Sequence, residues 1–78
     1  METKYLDCFG YPLKDGDDVL ISIDNVIYSG IIIEMTDEYF VVDYQIWKNE
    51  GDEEIIKNIK YYNYDAVQGK FLNIYKYR

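Results

Sequence analysis

Histidine is absent from this 78-residue sequence, and cysteine occurs once, at Cys8. These shortages remove the residue types from which the usual zinc sites, Ser/His/Asp and Cys/His nucleophilic centres and intrachain disulfides are built. No apolar run approaches membrane-spanning length, and Glu2, Lys4 and Asp7 stand where a secretory signal would be apolar. A cytoplasmic protein in a reducing compartment is the expectation. Basic residues are scarce, eight against fifteen acidic ones, for a net charge of -7. That balance argues against direct binding to a nucleic-acid backbone or an anionic membrane and for a basic partner. A chain this short buries only about three-fifths of its unfolded surface. It therefore forms a single domain over residues 1–78, with little room for a large active-site cleft.

What is present is apolar enough to fold: 49% of residues are hydrophobic and 18% aromatic, with no low-complexity tract. Usage is skewed to Ile (11), Tyr (10), Lys (7) and Asn (5), with one Ala and one Arg. The abundant residues have AT-rich codons, which points to a low-GC bacterium or one of its phages. From Asp18 the dominant period is two. Val19, Ile21 and Ile23 alternate with Leu20, Ser22 and Asp24, so residues 19–23 read as a strand, and Asp24-Asn25 supplies a tight hairpin turn. A second strand follows over 26–35. Gly30 interrupts it and is expected to mark a bulge or sharp bend. Thr36, Asp37 and Glu38 form the next turn, 39–47 a third strand, and 48–54 a polar acidic loop around Gly51.

The following segment supports two periods. Ile55, Ile59, Tyr62 and Ala66 lie near helical spacing, with Asp52 available as a cap. The density of Ile and Tyr over 55–64, and the need to pair the free edge of the third strand, favour a strand. Residues 63–69 then read as a turn with a short 3₁₀ piece. Residues 70–77 read as a closing strand, with Phe71, Asn73, Tyr75 and Tyr77 on one face and Leu72 and Ile74 on the other. The expected core joins Val19, Ile21, Ile23, Ile32 and Val41. The fold class is all-β, a small antiparallel barrel of about five strands.

Four stretches carry a family resemblance: Lys14-Asp15-Gly16-Asp17-Asp18-Val19, Val26-Ile27-Tyr28-Ser29-Gly30-Ile31-Ile32, Tyr39-Phe40-Val41-Val42-Asp43-Tyr44 and Glu50-Gly51-Asp52-Glu53-Glu54-Ile55. Their order resembles the small SH3-like barrels of the Tudor type over residues 14–62. The resemblance implies a peptide- or nucleic-acid-binding module without enzymatic activity. It also implies Tyr28, Tyr44 and Trp47 as the walls of an aromatic cage for a methylated cation, whose attraction to ring faces is electrostatic. The sequence departs from the cage pattern at Val26 and Ile27, where an aromatic usually stands. Strand and core roles account for the same rings.

Charge is unevenly placed. Residues 15–54 hold twelve acids and one base, a net of -11, and residues 55–78 hold one acid and five bases. In an antiparallel meander alternate turns share an end. Asp24, Glu50, Asp52, Glu53 and Glu54 then gather at one end, and Asp15, Asp17, Asp18, Asp37 and Glu38 at the other. The two patches would stand on the order of 17 to 20 Å apart, a strand's length, a spacing that imitates the phosphates of a nucleic-acid strand. Neither acidic run has EF-hand spacing, no metal or other cofactor is expected, and no catalytic residue is assigned. The expected partner is a basic protein surface, such as a nucleic-acid-binding groove. In its sharpest form the chain is a phage or mobile-element inhibitor of a host defence protein, an anti-CRISPR-like nucleic-acid mimic. The alternative is a Tudor-like adaptor reading a basic or methylated peptide. The Tyr- and Lys-rich 57–78 region is a further contact surface.

Overall fold

The computed structural model describes residues 5–47 and 54–77. It is all-β: strands β1 (Asp18–Ile23), β2 (Val26–Met35), β3 (Tyr39–Trp47), β4 (Glu54–Tyr62) and β5 (Ile74–Lys76) form one antiparallel sheet, with a 3₁₀ turn at Asn63–Asp65. The order β4-β3-β2-β1-β5 is a meander whose last strand returns to the free side of β1, an arrangement that fits a small barrel-like fold. No helix among the described residues is long and apolar enough to cross a membrane.

The first hairpin is set by its turn. Asp24 and Asn25 both adopt positive φ, 51° and 68°, as a two-residue type I′ connection requires and as Asp and Asn tolerate better than other side-chain-bearing residues. β2 then serves two partners. Residues 26–31 pair with β1 and residues 30–35 with β3, overlapping at Gly30 and Ile31. The expected irregularity at Gly30 falls elsewhere: the register shift lies between Ile32 and Glu34, and Gly30 pairs regularly with Val19 and Tyr44. Gly30 is needed for closeness instead. A Cβ there would lie 2.7 Å from both the Asp43 carbonyl oxygen and Val42 Cγ1, so only glycine lets β2 and β3 approach where β2 changes partner.

The ambiguity over residues 55–64 resolves as a strand that ends at Tyr62, in unbroken nine-residue register with β3, with residues 63 and 64 passing into the 3₁₀ turn. Pairing all of β3's second side outweighs the helical spacing of Ile55, Ile59 and Tyr62. The inward face carries Val19, Ile21, Ile32, Phe40, Val42 and Tyr61, all buried, with Ile23 packed against them. Val41 is buried as expected but lies outside this cluster. Alternation sends 40, 42 and 44 inward, so Val41, opposite Glu34 and Lys60, lies on the other face and Val42 takes its place. β5 is also shorter than the expected 70–77 strand, because the Ile74 N–H bonds back to the Phe71 carbonyl at 3.2 Å. That turn brings Phe71 and Ile74 to the same, buried side and leaves Leu72 exposed, which overturns the pairing of Leu72 with Ile74 on one face.

The core is completed by residues that carry no strand signal. Tyr5 and Leu13 are buried, and Tyr5 packs on Phe40 and Phe71 with ring centroids 5.0 and 5.9 Å apart. The Tyr5 hydroxyl donates to the Thr36 carbonyl at 2.7 Å. Burial first, then the neighbouring Asp37 and Glu38 carboxylates, push its phenol above the ordinary tyrosine range. Between Tyr5 and Leu13 the chain turns around Asp7, which is wholly buried. Asp7 Oδ1 accepts the N–H groups of Phe9 (2.9 Å) and Tyr11 (2.8 Å), and Oδ2 accepts the N–H of Lys76 (2.9 Å). One carboxylate thus closes its own turn and docks it on β5.

Candidate functional site

The structure sorts the expected acidic residues by what they already do. At the end formed by the entry to β1 and the β2–β3 turn, Asp15, Asp37 and Glu38 are exposed. Asp17 sits with them but is committed to the fold: its Oδ2 accepts the Lys14 N–H at 2.8 Å and lies 3.2 Å from the Lys76 ammonium, which also donates to the Pro12 carbonyl. The β2–β3 turn is pinned from two sides. Thr36 Oγ1 accepts the N–H groups of Glu38 and Tyr39, and Asn63 donates its backbone N–H to Glu38 O and its side-chain amide to Asp37 O. The carboxylates of Asp37 and Glu38 are thereby held on a fixed backbone. At the opposite end Asp24 is exposed on the I′ turn. Glu50, Asp52 and Glu53 lie outside the described residues, and Glu54 is described only as the first position of β4.

A further acidic position emerges from the register. Asp18 in β1, Ile31 in β2, Asp43 in β3 and Asn58 in β4 form one row across the outward face. With adjacent strands about 4.8 Å apart, the two carboxylates stand about 10 Å apart with Ile31 between them. They border a shallow depression of about 320 Å³ whose other walls include Ser29, Gln45 and Ile56. Asp18 and Asp43 are half-buried, while Ile31 and Ile56 are exposed. A carboxylate partly withdrawn from water beside apolar groups exerts a stronger field on an incoming cation than one on a loop tip. Asp43 escapes sequence reasoning because an acid inside a β-rich run reads as an ordinary outward residue, and only the cross-strand register sets it level with Asp18.

Beyond β1 the outward face turns apolar. Leu20, Ile27, Leu72 and Tyr75 line a second depression of about 290 Å³ that reaches Cys8. Phe9 stacks edge-on against Tyr75 at 5.4 Å, and the hydroxyls of Ser29 and Tyr77 are 3.2 Å apart. Exposed carboxylates thus stand at both ends of a sheet whose outward face carries the half-buried Asp18 and Asp43 together with isoleucine and aromatic surface.

Of the expected cage, Tyr28 and Tyr44 are brought together, ring centroids 5.1 Å apart, half-buried and packed against the core. For Trp47 only its place as the last residue of β3 lies within the description. A cation does sit over tyrosines elsewhere, and it is the protein's own. The Lys60 ammonium lies 4.4 Å from the Tyr39 ring centroid and 5.9 Å from that of Tyr62, while the Tyr39 hydroxyl donates to Glu34. Among the described residues no group of three or more acidic or cysteine side chains is arranged to hold a metal ion.

No protein-family model matches this chain, and neither does any curated protein or solved structure.

Proposed function

We propose that this protein is a non-enzymatic binding protein whose acidic surface docks on a basic surface of another protein, of the kind that lines a nucleic-acid-binding groove. The observation that carries the reading is the placement of carboxylates along the sheet: Asp15, Asp37 and Glu38 at one end, Asp24 at the other, and Asp18 and Asp43 on the outward face between them beside Ile31. Lysine and arginine side chains complement such a face twice, their charged heads at the carboxylates and their alkyl stems on isoleucine. The sharpest form of this proposal is an inhibitor of phage or mobile-element origin that occupies the groove of a host defence protein.

The test is capture of partners from a low-GC bacterial lysate with stepped salt washes, followed by competition with duplex DNA. A groove-binding mimic is displaced by DNA, and its partner is eluted by salt. Replacing Asp15, Asp24, Asp37 and Glu38 with Asn or Gln should slow association and flatten its salt dependence with the fold unchanged. A partner indifferent to DNA, to salt and to these substitutions would rule the reading out. The adjacent Tyr28 and Tyr44 rings support a second reading, an adaptor for methylated basic peptides. Absence of binding to methyl-lysine or methyl-arginine peptides at about millimolar concentration, equivalent to about 4 kcal/mol, removes it.

A further inference from the structure

The two edges of the sheet are treated differently. On β5, Ser22 N–H donates to Asn73 O and Tyr77 N–H to Asp18 O, so residues 73, 75 and 77 bond to β1 and residues 74 and 76 face away. Three of the four outward groups there are taken up. The Ile74 carbonyl accepts the Cys8 N–H at 2.9 Å, the Ile74 N–H bonds to Phe71 O, and the Lys76 N–H reaches Asp7. On β4, Asn63 N–H donates to Glu38 O, which fixes the alternation: residues 55, 57, 59 and 61 bond to β3, and 56, 58, 60 and 62 face away. The Tyr62 N–H is covered by Asp65 at 3.0 Å. β4 ends the strand order, and no described segment pairs with its outer side. The backbone groups of Ile56, Asn58 and Lys60 therefore face outward along an open edge, which is a template for another strand.

We propose that β4 pairs antiparallel with β4 of a second copy, centred on Asn58, joining two sheets into one. A two-fold axis normal to the sheet sets inward face beside inward face and matches outward groups with outward groups: Ile56 with Lys60 of the second copy, Asn58 with Asn58, and Lys60 with Ile56. That gives about six backbone hydrogen bonds. The register is selected by charge and by what is already occupied. Centring on Lys57 would set lysine against lysine, which is unfavourable in directly opposed positions. Centring on Ile59 would set Ile56 against Tyr62, whose N–H Asp65 already holds. Charge also permits this edge. β4 carries Lys57 and Lys60 against one acid, Glu54, in a chain of net charge -7, so two molecules meet here without the repulsion that the acidic residues 15–43 would impose. A strand-edge contact of this size belongs to the weak, reversible class of interfaces. The inference is independent of the binding function proposed above.

Sedimentation equilibrium of the full chain from about 10 μM to about 1 mM, the range of weak association, reads the dimer directly. Ile56 is exposed, so its replacement leaves the monomer fold in place. In the Asn58-centred register Ile56→Glu faces Lys60 of the second copy twice and should tighten the dimer, while Ile56→Lys should loosen it, each by about three- to tenfold. Amide exchange supplies a second readout: protection at residues 56, 58 and 60 should rise with protein concentration, while that at 57 and 59, already bonded to β3, should not. A chain that stays monomeric to about 1 mM would overturn the proposal. A dimer indifferent to the sign of the charge at position 56, or one whose new protection lies around Leu72 and Tyr75, would also do so.

Discussion

Asp7 offers the sharpest test of how this fold is held together. Its carboxylate is wholly buried and is the acceptor for three backbone N–H groups, two in its own turn and one, Lys76, in β5. Asp7→Ala leaves all three donors without an acceptor. A buried donor deprived of its partner costs about 1–3 kcal/mol. Phe9 and Tyr11 lie in an exposed turn where water can replace part of the loss, whereas Lys76 N–H is sandwiched between β1 and the turn. The sum expected is about 3–5 kcal/mol, a large share of the roughly 4–12 kcal/mol that a domain of this length possesses. Asp7→Asn keeps one oxygen, and so serves either the turn or β5 but not both. Its expected cost is about 2 kcal/mol. Urea denaturation followed by far-UV circular dichroism measures both values. Native-state hydrogen exchange should show the amides of Cys8 and Lys76 losing protection ahead of those in β2 and β3. A loss below about 1 kcal/mol for Asp7→Ala, with exchange unchanged at Lys76, would refute the view that this carboxylate docks the turn on the strand.

Three further outcomes follow from packing and burial. Among the described residues Tyr61 buries its hydroxyl without a well-formed hydrogen bond, although the Asn73 side chain is near enough to temper its pKa, so Tyr61→Phe should leave stability unchanged or raise it by about 1 kcal/mol in a thermal melt, and a loss of that size would show that Asn73 holds the hydroxyl. Burial also pushes the Tyr61 phenol up to about 12 from its ordinary 10.0. Below that ordinary value both folded and unfolded chains keep the proton; above it the unfolded chain ionises first, so stability should fall as pH rises from 10 towards 12, less steeply in Tyr61→Phe. Gly30→Ala sets a Cβ against the Asp43 carbonyl and should cost about 3 kcal/mol in urea; a neutral result would mean β2 and β3 can separate cheaply. Ile21→Ala and Ile74→Ala should each cost about 2–5 kcal/mol, while Leu72→Ala should stay within about 0.5 kcal/mol, and equal losses at Leu72 and Ile74 would contradict the turn that separates them.

Much of the meander is legible from local chemistry. Alternation marks β1, the Asp24-Asn25 pair marks its turn, and β-branched and aromatic density marks β2 and β3, because these features act between neighbours in sequence. β4 is harder, since Ile and Tyr at mixed spacing satisfy two periods until β3 supplies a partner. β5 misleads for the opposite reason: strand parity applied over 71–77 puts Leu72 with Ile74, but the Phe71–Ile74 turn rotates the chain and breaks that parity. The Asp7 turn has no local signature at all. An acid among Lys4, Tyr5 and Leu6 reads as solvated, and its burial depends on a strand 69 residues away. The same limit hides Asp43, whose relation to Asp18 exists only once three strands are in register.

The distance between Asp7 and Lys76 also orders events in time. Each strand from β1 to β4 meets its neighbour across a short connection, so the meander can zip locally. Closing the 69-residue separation to Lys76 costs about 1.7 kcal/mol more in chain entropy than closing a loop of about ten residues. β5 and the Asp7 turn are therefore expected to join late, as a latch on a sheet already formed. Until they do, β1 is a second bare edge, exposing the backbone groups of Asp18, Leu20 and Ser22 just as β4 exposes those of Ile56 and Asn58. A nascent sheet with two open sides can polymerise, whereas the finished one can only pair.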